Sequence, residues 1–370
     1  MESVARAGLA SVVRGWRFSR ADGPICVIGD VHGHRDKLLR LWGKLPGAVG
    51  GAHAFDSLQV VFLGDYCDKG PDSKGVLETL VGLRREHPGQ KHYFLCGNHD
   101  FALSAFLGCL PEPHDVRESL RSDGALLRNE SIHPSLEGLA SFAPPKQGDY
   151  SGTWRKQYES KFPGNEQLYT GPGSERMHLQ GVRYAARAGS VFDSAPTFAS
   201  YGVAYGDREG LLRAMPPAHL EFLCNLRWIV KLRGNIGDVL CVHAGLEDES
   251  LAALDKTVNA LRLRDPALLH RPFIEPLCGR ANVERLPTAL LAPILQKRGY
   301  LPPPLFLISG HHGFVRLNGK RIILDQCAGH ADRDLAGLVL ERDGAGGSHT
   351  QLSNDNGLSI KILTSSPNSR

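Results

Sequence analysis

Five short apolar runs in this chain each empty into a loop bearing Asp, Asn or His, beside or near a glycine. Ile25-Cys26-Val27-Ile28 enters Gly29-Asp30-Val31-His32-Gly33, and Val60-Val61-Phe62-Leu63 enters Gly64-Asp65-Tyr66-Cys67-Asp68-Lys69-Gly70-Pro71. Tyr93-Phe94-Leu95-Cys96 runs into Gly97-Asn98-His99-Asp100, Val239-Leu240-Cys241-Val242 into His243-Ala244-Gly245, and Leu305-Phe306-Leu307-Ile308 into Ser309-Gly310-His311-His312. Runs of this length read as buried strands, and the Gly, Pro and charge after them read as loops. A single carboxylate at a strand exit is ordinarily a turn former or a helix cap. Repetition at every exit restricts the fold, because strand ends that share a chemistry must gather on one side.

The segments between these runs carry helical stripes. Leu38, Leu41, Trp42 and Leu45 make one face; Val76, Leu77, Leu80, Val81 and Leu83 make another, behind a cap at Asp72 or Ser73. Two β-α-β units in succession predict an α/β fold whose largely parallel sheet is covered by helices. Ligands of such sheets collect beyond the carboxyl ends of the strands, where all five motifs lie.

With 370 residues the chain is long enough to bury a full core. The expected organisation is an arm over 1–23, a catalytic domain over 24–342 with an insertion or cap over 111–178, and a C-terminal tail over 343–370 whose last residues, Ser365 to Arg370, are expected to be loose. From Pro111 the periodicity fails, and Trp154, Tyr158, Phe162 and Tyr169 stand among Pro, Gly and charge. A helix is predicted from Pro217 to about Trp228, with further strands at Arg321–Asp325 and Leu338–Leu340. Arg6, Arg14, Arg17 and Arg20 allow a basic amphipathic helix near the N-terminus. Glu2 and Asp22 break the acid-poor signature of a transit peptide, so a frayed arm is favoured.

A net charge of +4, without a Lys/Arg block or an aromatic-interleaved basic stripe, argues against a nucleic-acid partner. No apolar run approaches the length of a membrane span. The eight cysteines show no metal-ribbon or disulfide spacing, and Cys26, Cys96 and Cys241 lie inside expected strands. A reducing compartment fits, which makes the cytoplasm the expected location, with the nucleus also compatible.

Brought into one cleft, the strand-end residues make two metal sites: Asp30, His32 and Asp65 for one ion, and Asp65, Asn98, His243 and His311 for the other. Asp65 is shared, since a carboxylate can bridge two ions about 4 Å apart. Oxygen and imidazole ligands without thiolate suit manganese, iron or zinc. Such a pair favours a phosphate dianion and arms a water held between the ions to attack phosphorus in line. His99 is the expected general acid, oriented by Asp68. Lys69 is placed to pin a phosphate oxygen as a point charge.

The four blocks Gly29-Asp30-Val31-His32-Gly33, Gly64-Asp65-Tyr66-Cys67-Asp68-Lys69-Gly70, Gly97-Asn98-His99-Asp100 and His243-Ala244-Gly245 resemble the signature blocks of the calcineurin-like metallophosphoesterases. More narrowly they resemble the phosphoprotein phosphatase family, whose blocks read GDxHG, GDxVDRG, GNHE and HGG. Asp100 in place of the last Glu, and Ala244 in place of Gly, point to bacterial-like branches. Phe101 to Gly108, Leu168 to Gly171, Met177 to Gly181, Tyr201 to Val203 and Ser309 to Gly313 look like the plant Rhizobiales-like phosphatases. The resemblance covers about residues 24 to 342. It implies a central β-sandwich flanked by helices, a dinuclear centre of divalent or trivalent ions, a phosphoprotein substrate and a preference for phosphotyrosine. It says nothing of a regulatory subunit. It also selects His311 over His312 as ligand. Lys69 stands where the family carries Arg, so Arg183 and Arg280 become candidates for the missing phosphate fork.

Four rivals remain. Cys327 to Arg333 has the spacing of a thiol phosphatase, but Asp332 and Asp334 flank that Arg. Ser/Thr-directed phosphatase and dinucleoside polyphosphate hydrolase keep the metals and change the substrate. A degenerate scaffold is disfavoured by the intact ligand set.

Overall fold

In the computed structural model the described residues are 18–21, 23–107, 169, 192–234, 237–265, 274–291, 305–342 and 358–366. Ile25–Ile28 (β2) is buried at every position because both of its faces are covered. Ile25 and Val27 join an apolar cluster drawn from two sheets, while Cys26 and Ile28 face the helices with Leu38, Leu41 and Leu45. Gln59–Phe62 (β3) and Lys91–Phe94 (β4) repeat the pattern: Val61 and Tyr93 turn inward, and Val60, Phe62 and Phe94 turn to the helices. Strands buried on both faces lose the polar alternation of a half-exposed sheet, hence the continuous apolar runs.

β2, β3 and β4 are parallel neighbours, joined by the helices Arg35–Ala48 and Ser73–Glu86. Asp72 caps the second of these, its Oδ1 accepting from the Gly75 N–H at 2.8 Å. The other sheet contains Val230–Gly234 (β5), Gly237–Cys241 (β6), Leu305–Ser309 (β7), Val315–Asn318 (β8) and Arg321–Leu324 (β9). With Ser19–Arg20 (β1) its order is β1-β5-β6-β7-β9-β8. Ala336–Arg342 (β10) and Leu358–Thr364 (β11) complete the first sheet, in the order β11-β10-β2-β3-β4. The two sheets enclose an apolar layer that includes Val239, Cys241, Phe306, Ile308, Ile322 and Leu324 from one side.

The expectation of a largely parallel sheet needs correction: both sheets are mixed. β10 returns antiparallel to β2, and β11 antiparallel to β10; in the other sheet β5–β6 and β8–β9 are antiparallel. The parallel groups β2-β3-β4 and β6-β7-β9 are the ones that point the motif-bearing ends the same way. The arm and the tail also contribute strands. Ser19–Arg20 pairs with β5, and β11 lies inside the expected C-terminal tail, just before the six residues expected to be loose. The helix from Pro217 stops at Cys224, since Asn225 turns both its backbone N–H and its amide Nδ2 onto the Glu221 carbonyl. Apart from Tyr169, the expected insertion over 111–178 lies outside the described residues, as does Arg183.

Candidate metal centre

Backbone bonds stitch the loop after β2 to the loop after β3, and the loop after β6 to the loop after β7. The Val31 and His32 N–H groups donate to the Asp65 carbonyl at 3.0 and 2.8 Å, and the Gly310 N–H donates to the His243 carbonyl at 2.8 Å. His32, Asp65, Asp68, Lys69 and His311 all have left-handed backbone, with φ between 48° and 70°. Each costs on the order of 1 kcal/mol for a residue other than glycine. Their concentration here marks loops shaped for side-chain placement rather than for local comfort.

Two groups of donor atoms result. Asp65, His243 and His311 form one, and Asn98 joins it: its Oδ1 lies 3.1 Å from His243 Nε2 and 3.0 Å from His311 Nδ1. His243 gives Nδ1 to the Leu63 carbonyl at 2.8 Å, so Nε2 faces Asp65 Oδ1 at 3.4 Å. His32, Asp65 and His99 form the other group, with His32 Nε2 3.5 Å and His99 Nε2 3.9 Å from Asp65 Oδ2. Asp65 belongs to both. Asp30 lies against His311, accepting its N–H on Oδ2 at 3.0 Å, and leaves its buried Oδ1 without a hydrogen-bond partner among the described residues.

His311 faces the centre, whereas His312 turns its Nε2 to the Ala244 carbonyl at 2.8 Å. Burial, with the nearby Lys69 charge for His32 and Arg280 for His311, holds both imidazoles well below the usual histidine range, which leaves them neutral with lone pairs to give. Burial alone would also lower His243, but the Asp65 and Asp30 carboxylates raise it to about 9. Burial and the Asp325 charge push Asp30 well up, and the histidine charges around Asp65 hold it well down against burial.

Whether these residues suit cations is tested by what is left unpartnered. Asp30 Oδ1, Asn98 Nδ2 and His311 Nε2 are buried and have no hydrogen-bond partner. A Cβ at Gly97 would sit 2.1 Å from Asp65 Oδ1, and one at Gly310 would sit 2.1 Å from Asp30 Oδ1. Carboxylate, amide and imidazole donors crowded at these distances are a ligand set for two metal ions.

The candidate acid is well held. His99 Nδ1 lies 2.8 Å from Asp68 Oδ2, and Asp68 is fully buried. Lys69 Nζ reaches the cleft, 2.9 Å from His32 Nε2. Arg280 reaches its edge, donating from Nη1 to the His311 carbonyl at 2.5 Å. Cys327 does not suit a thiol nucleophile. Burial and Asp325 raise its thiol, and its Sγ is spent on the Gly313 carbonyl at 3.2 Å.

Several supporting residues escape the sequence. Asp100, read there as a branch marker, accepts the N–H groups of Asp65, Tyr66 and Gly97 at 2.6, 2.8 and 2.9 Å and so clamps the metal loop. Buried Arg321 donates to the Ala244 and Val283 carbonyls and to Ser309 Oγ, tying the His243, Arg280 and His311 loops together. Tyr169 and Thr197 bond to Asp68. Neither partnership has a local signal in the sequence, because each joins segments a hundred residues or more apart.

A family profile described as calcineurin-like phosphoesterase matches residues 23–312. The chain belongs to that family. Among curated calcineurin-like relatives, the serine/threonine-protein phosphatase BSL2 of Arabidopsis thaliana is 34% identical over 86 residues, 23% of this chain and 8% of that one. A bis(5'-nucleosyl)-tetraphosphatase, PrpE of Oceanobacillus iheyensis, is 38% identical over 84 residues, 22% of this chain and 32% of that one. The chain thus spans less than a third of either relative. A cold-active protein-tyrosine phosphatase of a psychrophilic Shewanella superposes with a TM-score of 0.42 at 17% identity, covering 87% of this chain and 78% of that one. No described helix of this calcineurin-like chain is long and apolar enough to cross a membrane.

Proposed function

We propose that the chain is a phosphoprotein phosphatase that hydrolyses phosphomonoesters on serine and threonine as well as tyrosine. The observation that supports this is the Asp68–His99 pair, bonded at 2.8 Å beside the shared Asp65. Phenol leaves readily, with a pKa of roughly 10, and asks little of an acid. An aliphatic alkoxide is far more basic, and a histidine locked on a buried carboxylate is the device that such a leaving group requires. The preference for phosphotyrosine that the sequence resemblance implies has no matching feature among the described residues.

Asp30, His32, Asp65, Asn98, His243 and His311 would hold the two ions, manganese, iron or zinc by donor type. When bound, such a pair supplies the positive charge that a phosphate dianion seeks and acidifies water. Asp65 would contribute to both positions, its Oδ1 facing His243 and its Oδ2 facing His32 and His99. Lys69, beside His32, and Arg280, beside His311, would bind phosphate oxygens, and Arg183 remains a further candidate. His99 would give its Nε2 proton to the departing oxygen while Asp68 holds Nδ1.

A second reading, dinucleoside polyphosphate hydrolysis, is favoured by the similarity to PrpE. Phosphoserine, phosphothreonine and phosphotyrosine peptides and diadenosine tetraphosphate, assayed with and without chelator, separate the two. Chelator-sensitive turnover of the peptides is expected. Faster turnover of the nucleotide than of any peptide would replace the first reading with the second.

A further inference from the structure

Asp68 is a carboxylate in a position that ought to be costly. It is fully buried, it sits at φ 70°, and among the described residues its side-chain oxygens meet Tyr169, Thr197 and His99 rather than a Lys or Arg. What satisfies it is a ring of neutral hydroxyls. Tyr169 donates its phenol O–H to Oδ1, and Thr197 Oγ1 donates to the same oxygen at 2.6 Å. Oδ2 is left to His99 Nδ1. Ser73 Oγ and Thr197 Oγ1 also receive the Asp68 N–H, at 3.1 and 3.0 Å. A buried carboxylate needs several donors, and here the two on Oδ1 fix the rotation that aims Oδ2 at the imidazole.

Tyr169 is itself built in. It is 1% exposed; its carbonyl accepts from Ser194 Oγ, and its ring lies 5.4 to 6.1 Å from those of Phe106, Phe192 and Phe198. Phe192 in turn sets its ring against His99 at 5.1 Å. Burial, with the Asp68 charge beside it, raises the Tyr169 phenol well above its usual range, so it stays a donor.

We propose that Tyr169 and Thr197 are positioning residues for leaving-group departure: from outside the strand-end motifs they hold Asp68 so that His99 Nε2 meets the departing oxygen. This rests on the phosphomonoesterase reading. As the phosphorus–oxygen bond breaks, its electron pair stays on the leaving oxygen, and the Nε2 proton joins that oxygen to give a neutral alcohol. His99 is left neutral, its remaining proton on Nδ1 and hydrogen-bonded to Asp68 Oδ2; water supplies the oxygen that phosphorus gains, and the proton it releases restores His99. The device matters only where the leaving group needs the proton.

The test compares a phosphoserine peptide with p-nitrophenyl phosphate, whose leaving group departs without help. Tyr169→Phe is expected to lower kcat on the peptide about tenfold, and on p-nitrophenyl phosphate by less than about twofold, with the metal content of wild type. In a His99→Asn background the same change is expected to add nothing. Thr197→Val should repeat the pattern and Thr197→Ser restore it, which keeps a second route should Tyr169→Phe fold poorly. Equal losses on both substrates, a fall in bound metal, or a further loss without His99 would overturn the proposal. A wild-type protein that hydrolyses neither compound would bring down the phosphomonoesterase reading itself, whereas an active wild type with substrate-blind variants would defeat the positioning role alone.

Discussion

Asp65 is asked to do three things at once. Its backbone carbonyl pins the β2 loop, Oδ1 faces His243 and takes the His99 N–H at 3.0 Å, and Oδ2 faces His32 and His99. Asp65→Asn keeps the shape and removes the charge. The expected outcome is at least about a hundredfold loss in kcat with reduced metal, read by elemental analysis on protein whose circular dichroism is unchanged. The neighbouring histidines at the β7 exit give a cleaner contrast. His311→Ala is expected to lower metal content sharply, while His312→Ala leaves it at the wild-type ratio, since only His311 faces Asn98. If both variants kept full metal, the second donor group would be wrongly assigned.

At the scale of elements, the strands carrying the motifs were legible because complete burial on both faces leaves an unmistakable apolar run. So were the two long helices, through their stripes and the Asp72 cap. The donor residues could be picked out by type and by their place at strand exits. The roles of the residues behind them could not: Asp100 and Tyr169 lie in recognisable blocks and Arg321 and Thr197 in none, but all four act through hydrogen bonds to distant backbone or side chains that no local pattern reveals. β11 was missed for a related reason. Ser359 and Lys361 alternate with Leu358, Ile360 and Ile362 over a short span after a Gly- and Asn-rich stretch, too little to mark a strand by pattern alone. Yet β11 pairs with β10 from Ala336↔Thr364 to Arg342↔Leu358, and Lys44 reaches the Thr364 carbonyl at 2.8 Å and the Ser366 carbonyl at 2.5 Å. Truncation after Arg342 would leave β10 as an open edge and strip Lys44 of these acceptors. The expected result is a lower melting temperature and aggregation on purification, checked by differential scanning fluorimetry and size-exclusion chromatography.

For the whole molecule, acid stability follows from histidines that are buried neutral. His219 is lowered to about 4 by burial and the Lys74 charge, while its Nδ1 pairs with the Tyr201 hydroxyl at 2.7 Å. An unfolded chain takes up a proton here near pH 6.5 and the folded one does not, so the stabilisation is complete above 6.5 and is lost as pH falls toward 4. The fall in melting temperature between pH 7 and 5 should therefore shrink in His219→Gln; an unchanged fall would remove this residue from the acid response. A broader consequence follows from the way the donors are divided between the sheets. Asn98 comes from one and His243 and His311 from the other, 145 and 213 positions further along the chain. A cation gripped by all three acts as a rivet through the sandwich, and a ribosome must deliver residue 311 before the rivet has both plates to close.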